Sequence, residues 1–401
     1  MQALSHRDFA RYAFARLFAT LSWQMLDVLI GWQLWKITGD TWFLGYVGLA
    51  QFIPFVLLLL PAGQIADRLD RRAIIACAYT LELVGACALL ALTYSGATNV
   101  TVFMVVAVLL GVARAFWAPA GQAMTPNLVP RELLPGAISV NTVLFQLGTI
   151  AGPLIAGFMV VLGYEIAYEL VVALLIVTVV LVLGVRPVRA QAQTEWHWHQ
   201  LLEGFQFVLR QKQILGAISL DLFAVLFGGA VALLPVFADQ ILHVGSVGLG
   251  WLRAAPGMGA AIMALWLGLR PIQQHAGRWM FSGVAAFGAC MVAFGFSTSF
   301  WWSLIVLVIA GAGDMVSVFV RGMLVQLETP DAMRGRVSAV NSMFIGASNE
   351  LGAYESSVAV HAFGLTRSVV IGGIGTLLVV ASYRRLFPGL RTLDRFPTPK
   401  Q

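Results

Sequence analysis

The sequence predicts an all-α polytopic membrane protein, with twelve membrane-crossing helices in two parallel six-helix repeats. Three observations lead there. The 401 residues are 59% hydrophobic and only 11% charged, with a mean hydropathy of +0.83. Soluble domains sit near ~45–50% apolar and ~25% charged, so a soluble chain of this kind would lack the charge to cover its surface. The apolar residues fall into stretches of membrane-crossing length. The second half also repeats small-residue and polar signals of the first at an offset of about 200 residues.

A spanning helix needs roughly 20 mostly apolar residues. Such stretches occupy 9–37, 42–66, 73–95, 100–124, 136–162, 165–185, 213–242, 247–269, 278–297, 300–325, 337–361 and 366–387. Segment 187–212 stands between the sixth and seventh. It begins polar and ends amphipathic, with Leu201, Leu202, Phe205, Val208 and Leu209 at helical spacing. It reads as a surface helix on the membrane, which divides the chain into a first bundle (1–186), a cytoplasmic linker (187–212) and a second bundle (213–401).

Orientation follows from Lys and Arg in the loops. With the N-terminus inside, the loop and terminal cations fall on the inner side except Lys36 and Arg367. An even helix count returns the C-terminus to the same side. The basic balance, net charge +6, is thereby explained without nucleic acid. Cys77, Cys87 and Cys290 all lie in apolar stretches and give neither a disulfide framework nor metal-ligand spacing. His197-Trp-His199 has no third ligand nearby and is read as an exposed segment. No P-loop, HExxH or GxSxG sequence is present, so neither an ATP-driven motor nor an enzyme is expected.

The repeat pairs Pro130 and Asn141 with Pro330 and Asn341, and Gly111 and Gly152 with Gly311 and Gly352. It also sets Arg16 against Asp221, and Arg114 against Asp314, so two equivalent positions carry opposite charges. Six helices per repeat leave both halves in the same orientation, the layout of transporters with a midplane site.

Two local patterns point to a family. The loop after the second stretch reads Gly63-Gln-Ile-Ala-Asp67-Arg68-Leu-Asp70-Arg71-Arg72. It resembles the G-x-x-x-D-R-x-x-R-R signature of the major facilitator superfamily. The fifth stretch carries Gly148, Gly152, Pro153 and Gly157 at a spacing similar to the helix-5 motif of exporters in that superfamily, with Ala156 in place of one glycine. Glu328–Arg336 and Asn349–Ser356 resemble the branch that contains bacterial enterobactin exporters and drug exporters. The resemblance implies the major facilitator fold. It implies a cytoplasmic gate at Gly63, Asp67, Arg68, Arg71 and Arg72, with Asp67 facing the start of the eleventh helix, and a cavity lined by the first, fourth, seventh and tenth helices.

Ionisable side chains inside membrane helices cost roughly 2.5–3.5 kcal/mol each at the helix centre and are functional candidates. The cavity set is Arg16, Asp27, Arg114, Asp221, Asp314 and Arg321, joined by Glu350 and Glu355 on the eleventh stretch. Arg16 and Asp27, eleven residues apart, share one face about 16 Å apart. Asp314 and Arg321 also share a face. Glu82 and Arg253 are read as structural ion-pairing residues between packed helices.

These readings converge on a proton-coupled exporter of a small organic molecule, siderophore-like or amphiphilic and drug-like, in the bacterial cytoplasmic membrane. Asp27 or Asp314 is expected to take the proton. The chain is expected to need no metal or other cofactor beyond the proton motive force, to meet substrate and lipid but not nucleic acid, and to work as a monomer. An uptake symporter or lipid translocator of the same fold, or a transport-inactive sensor or scaffold, fits the same residues.

Overall fold

The computed structural model describes residues 2–66, 68–187, 198–330 and 333–394. Asp67 and the segment 188–197, with its His197, lie outside the described residues, as do Asp331, Ala332 and the end of the chain from Arg395.

Among the described residues there are twelve long helices and no strand. They are α1 (Arg7–Thr38), α2 (Trp42–Ala66), α3 (Arg71–Tyr94), α4 (Val100–Met124), α5 (Leu134–Leu162), α6 (Tyr164–Leu183), α7 (Lys212–Phe227), α8 (Gly245–Leu269), α9 (Ala276–Gly295), α10 (Phe300–Glu328), α11 (Arg334–Phe363) and α12 (Leu365–Leu386). Among the described residues, eleven segments are long and apolar enough to cross a membrane. Helix α11, at 30 residues, has the length but a polar composition. Its Ser348, Ser356 and Ser357 are buried, so protein rather than lipid covers its polar side. Leu57, Leu265 and Leu269 are 70%, 72% and 84% exposed; so many large apolar side chains facing outward suit lipid, not water.

Local chemistry sets the helix ends. Asp8 in the first turn and Lys36 in the last complement the dipole of α1. Gly39, at φ 63°, closes that helix by donating its N–H to the Trp35 carbonyl at 2.8 Å. Asp70 and Asn99 cap α3 and α4, each accepting from the backbone N–H two residues on, at 3.0 Å.

The chain forms two compact units. The first comprises Met1–Trp196 with Gly245–Ala254, the second His197–Val244 with Ala255–Gln401. Helix α8 is therefore shared, and the change of unit falls one residue before Pro256.

Small residues organise each unit in the same way. In the first, Gly111 of α4 receives the Gln51 carbonyl and Pro54 ring of α2, and Gly152 of α5 lies against Leu21 and Gln24 of α1. In the second, Gly311 of α10 receives the Pro256 backbone of α8, and Gly352 of α11 lies against Val225 and Leu226 of α7. The two glycine pairs matched by the sequence repeat thus meet equivalent partners. A side chain at any of them would push two helices apart.

Two sequence readings change here. The stretch 213–242 is not one helix. It stops at Phe227, and Gly228-Gly229 leads into a 3₁₀ turn (Ala230–Leu233) and a π-helical turn (Phe237–Ile241). Phe287 packs where a side chain of residue 228 would stand, and the Gly352 backbone where one of residue 229 would. The linker helix (Trp198–Arg210) is amphipathic, but protein takes up its apolar face. Phe205, Phe207 and Val208 pack with Ile214, Ile218, Val325 and Val337, and Glu203 pairs with Arg336 at 2.5 Å. Leu209 is 49% exposed.

Candidate functional site

In the second unit, α7 brings Asp221 to Arg321 of α10, and the two form an ion pair. Their side chains are 6% and 3% exposed, respectively. The Ser317 hydroxyl, one turn before Arg321, donates to Asp221 Oδ1 at 3.3 Å. Asp314 lies two turns before Arg321 and within electrostatic reach of both partners. Around them pack Ala217, Leu220, Val316, Val320 and Leu324. The cluster therefore holds two carboxylates about one guanidinium in an apolar surround. One bound proton makes it neutral.

The first unit treats its charges one by one. Asp27 of α1 pairs with Arg253 of α8, a one-to-one match between residues the sequence placed in different sets. Arg114 lies over the Phe55 ring at 4.8 Å and the Trp23 ring at 5.7 Å, cation–π distances. Arg16 is half-buried and lines a cavity of about 340 Å³ with Gln122, Thr125, Asn141, Thr142 and Phe145 among its walls. No carboxylate among the described residues pairs with it. Glu82 of α3 is 1% exposed, and neither of its oxygens has a hydrogen-bond partner. The Trp117 indole lies beside it without closing a hydrogen bond. Glu350 and Glu355 are half-buried on α11.

The signature loop does its visible work through its arginines. Arg71 donates to the Ala66 and Ala123 carbonyls at 3.3 and 3.1 Å, and Arg72 to those of Leu183 and Val185 at 3.3 and 3.1 Å. These carbonyls end α2, α4 and α6, where helices leave acceptors unfilled and cations are favoured. Arg68 sits exposed in the turn. Gly63 has open space where a Cβ would stand, so close packing is not its role among the described residues. The helix-5 glycines differ. A Cβ on Gly148 would meet Thr20 at 2.8 Å, one on Gly152 would meet Gln24 at 2.6 Å, and one on Gly157 the Ser246 carbonyl at 2.5 Å. Pro153 turns its carbonyl to Gly250.

Three residues that the sequence did not single out as functional join this arrangement. Asn141 donates from Nδ2 to the Thr125 hydroxyl at 2.9 Å, while its Oδ1 is buried and unfilled. Its repeat equivalent, Asn341, has the same unfilled oxygen; that shared match was the only available signal. Asp394 completes the start of α9. Its Oδ1 accepts from the His275 N–H at 3.1 Å, and its carbonyl from the Ala276 N–H at 3.2 Å. The second-half loop lacks the acids of Gly63–Arg72, and the tail supplies one instead.

Residues 12–353 match the Major Facilitator Superfamily. The chain belongs to that superfamily. The enterobactin exporter EntS of Escherichia coli O81 is 27% identical over 402 aligned residues, covering 95% of this chain and 94% of that protein. Its counterpart in Shigella boydii serotype 4 is 26% identical with the same coverage. Solved transporter structures share the fold. An auto-inhibited POT family peptide transporter superposes with a TM-score of 0.76 at 11% identity, covering 98% of this chain and 99% of that one. A bacterial homolog of the human lysosomal transporter Spinster does so at 0.72 and 15%, covering 97% and 99%. This superfamily member is thus a multi-pass membrane transporter, not an enzyme.

Proposed function

We propose that this transporter exports a small organic molecule across the bacterial cytoplasmic membrane by alternating access, driven by protons moving inward. The full-length similarity to enterobactin exporters supports the direction and the cargo class, which is siderophore-like or amphiphilic. The Asp221–Arg321–Asp314 cluster carries the coupling. It is the place where an excess carboxylate stands beside a paired one, so occupancy by a proton changes its net charge from −1 to zero. Asp27, matched by Arg253, has no such excess, which favours Asp314 of the two candidate acids. Each proton moving inward gains about 2.3 kcal/mol per 100 mV. Both termini lie on the cytoplasmic side in this reading, which the distribution of loop cations supports, and the monomer is the working unit.

Efflux from proteoliposomes under an imposed pH gradient tests it. Asp314→Asn should flatten the response to the gradient while exchange of substrate down its own gradient continues. Gradient-driven efflux at the wild-type rate in Asp314→Asn would remove this residue from the coupling step. Absence of gradient-driven flux in the wild type would refute proton-coupled export.

A further inference from the structure

Four arginines lie inside membrane helices: Arg16, Arg114, Arg253 and Arg321. Arg253 and Arg321 are neutralised by aspartates and Arg114 lies between aromatic rings. Arg16 is the exception. Its electrostatic neighbours on the protein side include the phenols of Tyr12 and Tyr79. Tyr12 already donates its proton to the Gly121 carbonyl at 2.9 Å. An arginine held inside a membrane segment with no carboxylate is costly, and superfamily membership alone does not say what balances it.

The cavity beside Arg16 answers that. Its walls come from α1, from the end of α4 and from α5, all within the first unit. Asn141 lines it, is only 7% exposed, and has a buried oxygen with no donor. Gln122, Thr125 and Thr142 add polar groups, and Phe145 an aromatic wall. An unfilled buried acceptor is costly, and two independent defects in one cavity, an unbalanced cation and an unfilled acceptor, are resolved by one kind of occupant. The repeat offers an internal comparison. The position equivalent to Arg16 is Asp221, which is locked to Arg321. The second unit fills from within what the first leaves open.

We propose that this cavity is a binding site for an organic anion that carries a hydrogen-bond donor near its charge, with Arg16 taking the anionic group and Asn141 Oδ1 accepting from the hydroxyl or N–H. At about 340 Å³ the site is at the small end of ligand pockets, which run about 300–1,000 Å³. It holds one ring-sized group, either a whole small anion or the charged end of a larger cargo. The proposal names the substrate class for the export reading and rests on it for physiological meaning, but binding itself needs no gradient.

The test is equilibrium binding to the full-length transporter in nanodiscs, by calorimetry. The probes are hydroxybenzoate in its ring isomers, methoxybenzoate, which lacks the donor, and hydroxybenzamide, which lacks the charge. Wild type should bind at least one hydroxybenzoate isomer tenfold or more tightly than both comparators. Arg16→Gln should erase the preference over the amide, Arg16→Lys should restore part of it, and Asn141→Leu should erase only the preference over the methoxy compound. No preference for the anion in wild type overturns the proposal without requiring any variant to fold. A preference that survives in a monodisperse Arg16→Gln also overturns it. Selective binding together with no gradient-driven efflux leaves the site standing and refutes proton-coupled export. Gradient-driven efflux together with unselective binding does the reverse.

Discussion

Removing either partner of the buried pair in the second unit should have unequal effects. The side chains of Arg321 and Asp221 are 3% and 6% exposed, so water screens little of what is lost. Two unit charges about 4 Å apart interact by roughly 4 kcal/mol at an effective dielectric of 20. Arg321→Gln strips both acids of their cation and leaves Asp221 and Asp314 repelling each other. Breaking a buried pair in this way costs about 3–5 kcal/mol. Asp221→Asn differs, because Arg321 retains Asp314. The loss is then close to the difference between a charge-assisted and a neutral hydrogen bond, about 1 kcal/mol. Unfolding in mixed micelles titrated with dodecyl sulfate measures both. A further reading comes from Arg321→Gln combined with Asp314→Asn, which should recover part of the loss because the repulsion is gone. Equal costs for the two single variants, or no recovery in the double, would refute the view that one guanidinium serves two carboxylates.

Other expectations follow from the packing and the caps. Gly157→Val should reduce transport sharply, since even a Cβ there meets the Ser246 carbonyl and the Gly250 backbone, whereas Gly63→Ala should leave thermal stability within about 0.5 kcal/mol of wild type; both are read by unfolding and efflux. Arg72→Gln should cost about 1 kcal/mol by uncapping Leu183 and Val185, measured in the same titration. Asp394→Ala should cost a similar ~1 kcal/mol at the start of α9, and hydrogen exchange should rise most at His275, whose N–H loses its side-chain acceptor, while Ala276 and Gly277 keep the Asp394 and Leu393 backbone carbonyls.

Features legible in the sequence were those written locally. Helix number and the glycine pairs depend on neighbours a few residues away or on a repeat within the chain. Chemistry between distant segments was not legible. Asp27 and Arg253 are 226 residues apart, and no local pattern distinguishes a paired aspartate from a free one. Amphipathicity marked the linker helix as having one apolar face, but lipid and protein ask for the same residues there. Only the folded chain shows Phe205 and Val208 against α7, α10 and α11. Asn141 illustrates a third limit, since an unfilled acceptor is a property of geometry and composition cannot reveal it.

The tail contact at Asp394 also has a consequence for how the molecule is made. Asp394 and His275 are 119 residues apart, so at ~5–20 residues per second the ribosome needs about 6–24 s to deliver the cap after the helix start has emerged. The first unit has its own delay, because Gly245–Ala254 is synthesised after the linker and α7. Neither unit can close in simple chain order. During that interval α9 begins with bare amide groups near the membrane surface, an opening that insertion factors can hold and proteases can find. A message truncated between codons 387 and 393 yields a chain with all twelve helices but an unsealed second unit, and such a product should be degraded rather than accumulate as a competent carrier.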